Sequence, residues 1–324
     1  MCGGLLKVLI ADKFPSFAVN KLLDDGHVVE LKPELMGDSL SDAMDSAEIL
    51  VVRSTPVSAS IIDASQNLKL IVRAGAGTNT IDKQFARKKS ISVCNVPGKN
   101  AAAVAELVIG LMIAIDRQIP DNVFDLRADR WNKKQYAAAR GLYQRSLGVI
   151  GLGAVGIAVL ERAVGFGLKL HVVKNPNRPD SIQSRLTDLN VEMVADIDML
   201  IQSCDVISVH VPSNSKTHGM IDAQFLKKLK PGTILINTSR GDIIDEDALI
   251  QALDKQDLRV GLDVYCNEPL VADGEFKSAV ARHKSVYGTH HIGASTLQAQ
   301  NAVAEGVLEV IEAFGRGVLP NCVN

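Results

Sequence analysis

The sequence predicts an α/β fold made of two doubly wound parallel-sheet domains. Three observations carry this expectation. The chain has 324 residues, the length of about two ordinary domains. Short runs of β-branched and apolar residues alternate with helical stretches, the pattern of parallel sheets covered on both faces. One long helix interrupts that alternation, which then restarts.

The elements follow in order. Residues 7–11 (KVLIA) read as a strand and residues 16–25 as a helix. Further strands are expected at 49–52, 70–72 and 92–95, so the first hundred residues form one α/β domain. A long helix spans 101–117. Its apolar run carries Glu106 and stops at Asp116 and Arg117, short of the ~20 residues of a membrane span, so a buried core helix is expected. A less apolar stretch, 121–140, holds the single tryptophan, Trp131. Strands resume at 146–150, 169–173, 206–209, 233–236, 259–263 and 285–287. Six strands suit a Rossmann dinucleotide-binding domain. The last helix, about 296–316, has no strand to follow and is expected to pack back on the first domain.

Composition removes several classes of function. Apolar residues make up 47% and charged residues 22%, a mix that folds rather than stays disordered. With 35 Lys+Arg against 37 Asp+Glu, no broad basic face is expected for nucleic acid or an anionic membrane. The five cysteines, Cys2, Cys94, Cys204, Cys266 and Cys322, include no CxxC pair. Reduced thiols in a cytoplasmic chain are expected, with neither a disulfide framework nor a metal site. The N-terminal residues show no signal peptide.

The strand at 146–150 runs into Gly151-Leu152-Gly153-Ala154-Val155-Gly156 and then a helix. In a dinucleotide turn the first glycine allows the tight bend, the second lets the backbone approach a pyrophosphate, and the third lets helix and strand pack closely. The helix N-terminus offers free N–H groups to the phosphates. An acid is expected about 20 residues on, at the end of the next strand, to bind the ribose hydroxyls. Asn175 stands there instead, beside Lys174 and near Arg178. It keeps hydrogen-bonding capacity but lacks the charge that repels a 2′-phosphate.

Three later segments follow strands: 237–242 with Arg240, 263–269 with Asp263 and Glu268, and 288–296 with His290 and His291. Open α/β sheets bind ligands at the carboxyl ends of their strands. Beside a nicotinamide, a histidine can move the proton on the reacting oxygen near neutral pH. A carboxylate on its other nitrogen orients the ring and favours its protonated form. An arginine can grip a substrate carboxylate with two parallel bonds. Singly, each has a plain reading: Arg240 as a salt-bridged loop residue, Glu268 as a cap before Pro269, His291 as a loop histidine. Their ordered arrival downstream of the dinucleotide turn favours chemistry.

The segments GLGAVG, INTSRGDIIDEDAL, LDVYCNEP and HHIGASTLQAQ, with VVRSTPV, VRAGAGTNTID and NVPGKNAAAVAEL, resemble the D-isomer-specific 2-hydroxyacid dehydrogenase family over essentially the whole chain. Within it they are most similar to the branch acting on 3-phospho-D-glycerate. The resemblance implies a flavodoxin-like substrate domain, 1–100 with 294–324, into which a Rossmann NAD-binding domain, 101–293, is inserted. It implies Arg240 as substrate anchor, Glu268 as partner of the histidine, and His291 as acid/base. The cofactor would meet Gly151, Gly153, Ala154, Val155 and Gly156 at the turn and Asn175 at the ribose. Val211, Pro212, Thr238 and Ser239 would line it further along. Asp263, His291, Gly293 and Ala294 would lie toward the nicotinamide end. Substrate would meet Arg53, Arg73, Gly75, Asn100 and Arg240, with Lys133 and Lys134 as further cations. A homodimer through the nucleotide domains is implied, and no trailing regulatory domain is expected.

The implied reaction is NAD-dependent oxidation of 3-phospho-D-glycerate to 3-phosphohydroxypyruvate and its reverse, a step of serine synthesis. Reduction of unphosphorylated glyoxylate or hydroxypyruvate is the other enzymatic reading, and a nucleotide-sensing binding protein the non-enzymatic one. Two departures from the family pattern stand out: His290 replaces a proline before the catalytic histidine, and Asn175 replaces the ribose-binding aspartate. The second brings NADP into consideration beside NAD.

Overall fold

The computed structural model describes residues 5–269 and 273–324, so Cys2 lies outside the described residues. The chain divides into two compact units, Met1–Asn100 with Ser295–Asn324, and Ala101–Ala294.

In the first unit, β1 (Lys7–Ile10), β2 (Val28–Leu31), β3 (Ile49–Val52), β4 (Leu70–Arg73) and β5 (Ser92–Asn95) alternate with α1 (Ser16–Asp24), α2 (Asp38–Ala43), α3 (Ala59–Asp63) and α4 (Lys83–Lys88). The strands are parallel in the order β2-β1-β3-β4-β5, the flavodoxin-like arrangement. Period-two alternation divides the core. Leu9, Leu50, Ile71 and Val93 pack on one face with Leu40, Ile61 and Ala86. Val8, Ile10, Ile49, Val51, Val72 and Cys94 pack on the other, against Val307, Val310 and Ile311 of a long helix, Leu297–Gly315. Thr296 starts that helix by accepting a hydrogen bond from the Ala299 N–H at 3.1 Å, which satisfies one of its orphan donors. The helix lies close: a Cβ on Gly306 would come within 2.4 Å of Val96.

The second unit opens with α5 (Ala101–Arg117) and α6 (Ile119–Arg127). It continues with β6 (Ser146–Ile150), α7 (Ala154–Val164), β7 (Lys169–Val173), α8 (Asp180–Asp188), β8 (Glu192–Val194), α9 (Ile197–Ser203) and β9 (Val206–Val209). After α10 (Ala223–Lys227) come β10 (Thr233–Asn237), α11 (Glu246–Lys255), β11 (Leu258–Leu262) and β12 (Val286–Gly288). All seven strands are parallel, in the order β12-β11-β10-β9-β6-β7-β8. The order reverses between β6 and β9, which is where doubly wound sheets bind nucleotides.

Helix α5 buries Ala105, Val108, Leu111, Met112 and Ile115 against α7 and the sheet. Among the described residues no helix is long and apolar enough to cross a membrane. Only the start of the 121–140 stretch is helical; from Ala128 it proceeds in turns. Among the described residues, two strands stand where the sequence shows none, β2 and β8. Both are outermost in their sheets. β2 is mostly exposed and β8 is a short strand with one buried residue, so neither carries the apolar run of a strand covered on both faces.

Candidate active site

The glycine turn joins β6 to α7. Gly151 has φ of 97°, and a Cβ there would sit 2.4 Å from the His210 carbonyl oxygen. A Cβ on Gly156 would sit 2.0 Å from the Gly151 carbonyl oxygen, so the helix meets the strand through bare backbone. Among the described residues, nothing lies within 4 Å of a Cβ position above Gly153, and no side chain caps α7. The N–H groups of its first turn, where Ala154 and Val155 lie, therefore face open space and can receive an anion.

His210, Val211 and Pro212 follow β9, across the reversal point. The Ser208 hydroxyl and His210 Nε2 lie 2.7 Å apart. Burial drives the His210 ring down to about 3, so it stays neutral beside the turn. Thr238 Oγ1, just past β10, is buried with no hydrogen-bond partner among the described residues. The open backbone at Gly153, the uncapped helix and this unused hydroxyl fit a dinucleotide.

At the end of β7, Asn175 is exposed and its Oδ1 accepts the Asn177 N–H at 3.0 Å. Arg178 turns back on the strand and donates from Nη2 to the Val173 carbonyl at 2.7 Å. Lys174 is exposed.

Arg240, Glu268 and His291 follow β10, β11 and β12, three adjacent strands. Asn237 holds the first loop. Fully buried, it accepts the Ser239 N–H at 3.0 Å and donates to the Arg240 carbonyl at 2.8 Å. Arg240 Nη1 donates to the Ser239 carbonyl at 2.6 Å. Asp263, 1% exposed, holds the last loop. It accepts the N–H groups of Ile292 and Gly293, both at 2.8 Å, and the Thr289 hydroxyl at 2.6 Å. A Cβ on Gly293 would press to 2.9 Å from that carboxylate. Asn237 and Thr289 were not singled out from the sequence. An Asn ending a strand and a Thr starting a loop are too common to signal a clamp.

His291 adopts φ of 52°, left-handed backbone that a non-glycine residue keeps only when its surroundings hold it there. Its Nδ1 lies 2.6 Å from Glu268 Oε2. The other Glu268 oxygen accepts the Tyr265 N–H at 2.7 Å. Burial pushes the Glu268 carboxyl up, but the bonds from His291 and Tyr265 and the charge of Arg240 outweigh burial and hold it below its ordinary range. Glu268 is therefore ionised, and His291 Nδ1–H donates to it. That pairing occupies Nδ1, so Nε2 is the nitrogen left for a reacting oxygen. The neighbouring His290 is exposed and forms no ion pair among the described residues.

The remaining substrate candidates fall in two other stretches of the chain. Lys133 and Lys134 are exposed in the turns after α6, and among the described residues no hydrogen bond or ion pair joins them to Arg240, Glu268 or His291. Arg53, Arg73, Gly75 and Asn100 belong to the first unit. Arg53 follows β3, next to β1 where that sheet's order reverses. Asp12 past β1 accepts the backbone N–H groups of Arg53, Ser54 and Thr55 at 2.6, 3.1 and 3.2 Å. Arg53 Nη2 donates to the Ser295 hydroxyl at 3.4 Å. Gly75 has φ of 139°, and the Arg73 guanidinium lies where a Cβ on Gly75 would be, 1.7 Å away. Asp12 is a further residue the sequence did not single out.

The model of the D-isomer specific 2-hydroxyacid dehydrogenase NAD binding domain matches residues 109–293. The chain is 38% identical over 307 residues to hydroxypyruvate reductase of Thermotoga maritima, covering 94% of this chain and 97% of that one. It is 36% identical over 323 residues to D-3-phosphoglycerate dehydrogenase of Methanocaldococcus jannaschii, covering 99% of this chain but 60% of that relative. Among solved structures, NAD+-bound 3-phosphoglycerate dehydrogenase of Entamoeba histolytica superposes with a TM-score of 0.79 at 30% identity, covering 99% of both chains. The chain belongs to the D-isomer-specific 2-hydroxyacid dehydrogenase family, whose members are NAD-dependent oxidoreductases.

Proposed function

We propose that this chain oxidises 3-phospho-D-glycerate to 3-phosphohydroxypyruvate with NAD, and catalyses the reverse reduction, as a cytoplasmic step of serine synthesis. The observation that carries the chemistry is the 2.6 Å contact between His291 Nδ1 and Glu268 Oε2, beside Arg240, on the sheet bearing the glycine turn. Arg240 grips the substrate carboxylate. Glu268 fixes the imidazole, and Nε2 removes the hydroxyl proton in oxidation or supplies it in reduction. The nicotinamide, when bound, takes or gives the hydride. Arg53 reads the substrate phosphate, with Arg73 as a second cation. Gly75 and Asn100 are further substrate contacts of this reading, and Lys133 supplies charge to the phosphate end.

Reduction of hydroxypyruvate or glyoxylate is a second reading. The full-length similarity to the Thermotoga hydroxypyruvate reductase favours it. NADH oxidation against a panel of 2-keto acids separates the two. A charge-assisted hydrogen bond contributes about 1.5–3 kcal/mol, so Arg53→Ala should lower kcat/KM for 3-phosphohydroxypyruvate roughly 10- to 150-fold and that for hydroxypyruvate much less. Equal losses on both would remove the phosphate role. A wild type that prefers hydroxypyruvate or glyoxylate selects the second reading.

NAD(H) is the cofactor of this proposal, with weak discrimination against NADP(H), since Asn175 lacks a repelling charge. The active form is a homodimer. Supporting that, α6 buries none of its residues, while Phe124 and Leu126 are 67% and 51% exposed and nearby Trp131 is 82% exposed. Large apolar side chains left open in one segment mark an interaction surface.

A further inference from the structure

Two cysteines of the first unit face each other. Strand β5 is the outermost strand of its sheet, and residues 321–324 lie along it. The Val323 N–H donates to the Val93 carbonyl at 2.8 Å, and the Asn95 N–H donates to the Asn321 carbonyl at 3.3 Å. These two bonds flank Cys94 and Cys322, which form an antiparallel bridge of the non-hydrogen-bonded kind. In such pairs the Cα atoms lie about 4.5 Å apart with side chains close, inside the range of about 4.4–6.8 Å that a disulfide spans. Asn324 fastens the segment further. Its Oδ1 accepts the Val93 N–H and its Nδ2 donates to the Ile91 carbonyl, both at 2.8 Å. Both thiols are free; Cys94 is buried and Cys322 exposed.

We propose that Cys94 and Cys322 form a reversible thiol–disulfide site that locks residues 321–324 to the sheet edge when a peroxide is present. The Cys322 sulfur attacks one peroxide oxygen and the O–O bond breaks. The thiol proton leaves with the displaced hydroxide as water, and Cys322 becomes a sulfenic acid. The Cys94 sulfur then attacks the Cys322 sulfur. The S–S bond forms, the S–O bond breaks, and the hydroxide departs with the Cys94 proton as a second water. Two thiols lose two electrons and two protons, and the peroxide is reduced to two waters. A dithiol reductant reverses the change by exchange.

The roles of the two sulfurs follow from their positions. Cys322 is the one a solute reaches. Burial, reinforced by the adjacent Cys322 thiol, pushes Cys94 up to about 12, which makes it a poor first nucleophile. Burial also pushes Cys204 up to about 11 and Cys266 up to about 12. Among the described residues neither of those two has a cysteine facing it.

The test is to treat the full chain with hydrogen peroxide, alkylate the remaining thiols and map the peptides. Cys322→Ser, which leaves the core untouched, is treated in parallel. The wild type should lose two thiols per chain and yield a Cys94–Cys322 peptide pair, and dithiothreitol should restore both. In Cys322→Ser the Cys94 thiol should survive the same exposure. Oxidation of Cys322 to a sulfinic acid with Cys94 still free would overturn the proposal. So would a cross-link found only between chains, or equal oxidation of Cys94 in the variant.

Discussion

At the scale of single residues, the proposal assigns the proton transfer to one of two neighbouring histidines. Of the two, His291 meets a carboxylate among the described residues and His290 does not, and Asp263 holds the loop through two backbone N–H groups. Replacing a positioned proton donor costs about 10²–10⁴ in rate. His291→Ala should lower kcat by that factor with little change in cofactor affinity, and His290→Ala should be mild by comparison. The reverse ranking in steady-state assays would place the proton transfer on His290.

The Glu268 pairing has a pH signature. Its carboxyl is held below its ordinary range, so the stabilising contact is present above the unfolded carboxylate range and is lost as pH falls through the depressed folded value. Across neutral pH the glutamate stays ionised and the contact is intact. Wild-type activity should fall as pH drops through the depressed carboxylate range. Glu268→Gln, which removes the charge and keeps the shape, should lower kcat at neutral pH and lack that acid limb. An acid limb unchanged in the variant, with chemistry rate-limiting, would take Glu268 out of this role. With Asn175 at the ribose, as the proposal has it, Asn175→Asp should lower kcat/KM for NADPH far more than for NADH, because it adds a charge that repels a 2′-phosphate. The two ratios are measured at fixed ionic strength, since exposed charges are screened. Arg178, committed to the Val173 carbonyl, is expected to contribute little to that choice.

At the scale of elements, α5 shows how an apolar helix ends inside a protein. Asp116 in its last turn is buried and paired with Arg145 at 2.9 Å, with side chains 1% and 4% exposed. The other Asp116 oxygen accepts the Gly141 N–H at 2.9 Å, which ties the end of the 121–140 segment to the helix. Removing Asp116 leaves the Arg145 charge buried with a bond to the Asp205 carbonyl at 3.4 Å in place of its ion pair, at a cost of up to about 3–5 kcal/mol. Asp116→Ala should lose that much unfolding free energy in urea titrations, a loss that Arg145→Met with Asp116→Leu should largely recover. A loss under about 1 kcal/mol would mean that water reaches the pair.

At the scale of the whole molecule, the proposed dimer is the testable feature. A charge placed in an apolar interface is desolvated without a partner. Phe124→Asp with Leu126→Asp should therefore convert a two-chain species to a one-chain species in light scattering. Because both side chains are exposed in the single chain, its thermal unfolding should barely change. A wild type with the mass of one chain at working concentration would exclude the dimer.

The fold class was legible in the sequence because buried parallel strands need apolar side chains on both faces, which leaves unmistakable short runs. The glycine turn was equally legible. A Cβ at Gly151 or Gly156 would collide with backbone, so those positions must be glycine and show as such. The order Arg240, Glu268, His291 could also be read, since each residue lies just past a strand. Strands β2 and β8 escaped because little of either is buried, which removes that apolar requirement. The pairing of Glu268 with His291 was implied by the resemblance, whereas only the tertiary structure decided that Asp12, Asn237 and Asp263 clamp the loops and that Cys94 faces Cys322. Such pairings join residues far apart in the chain, and their geometry comes from strand order and backbone hydrogen bonds, which leave no local pattern in the side chains.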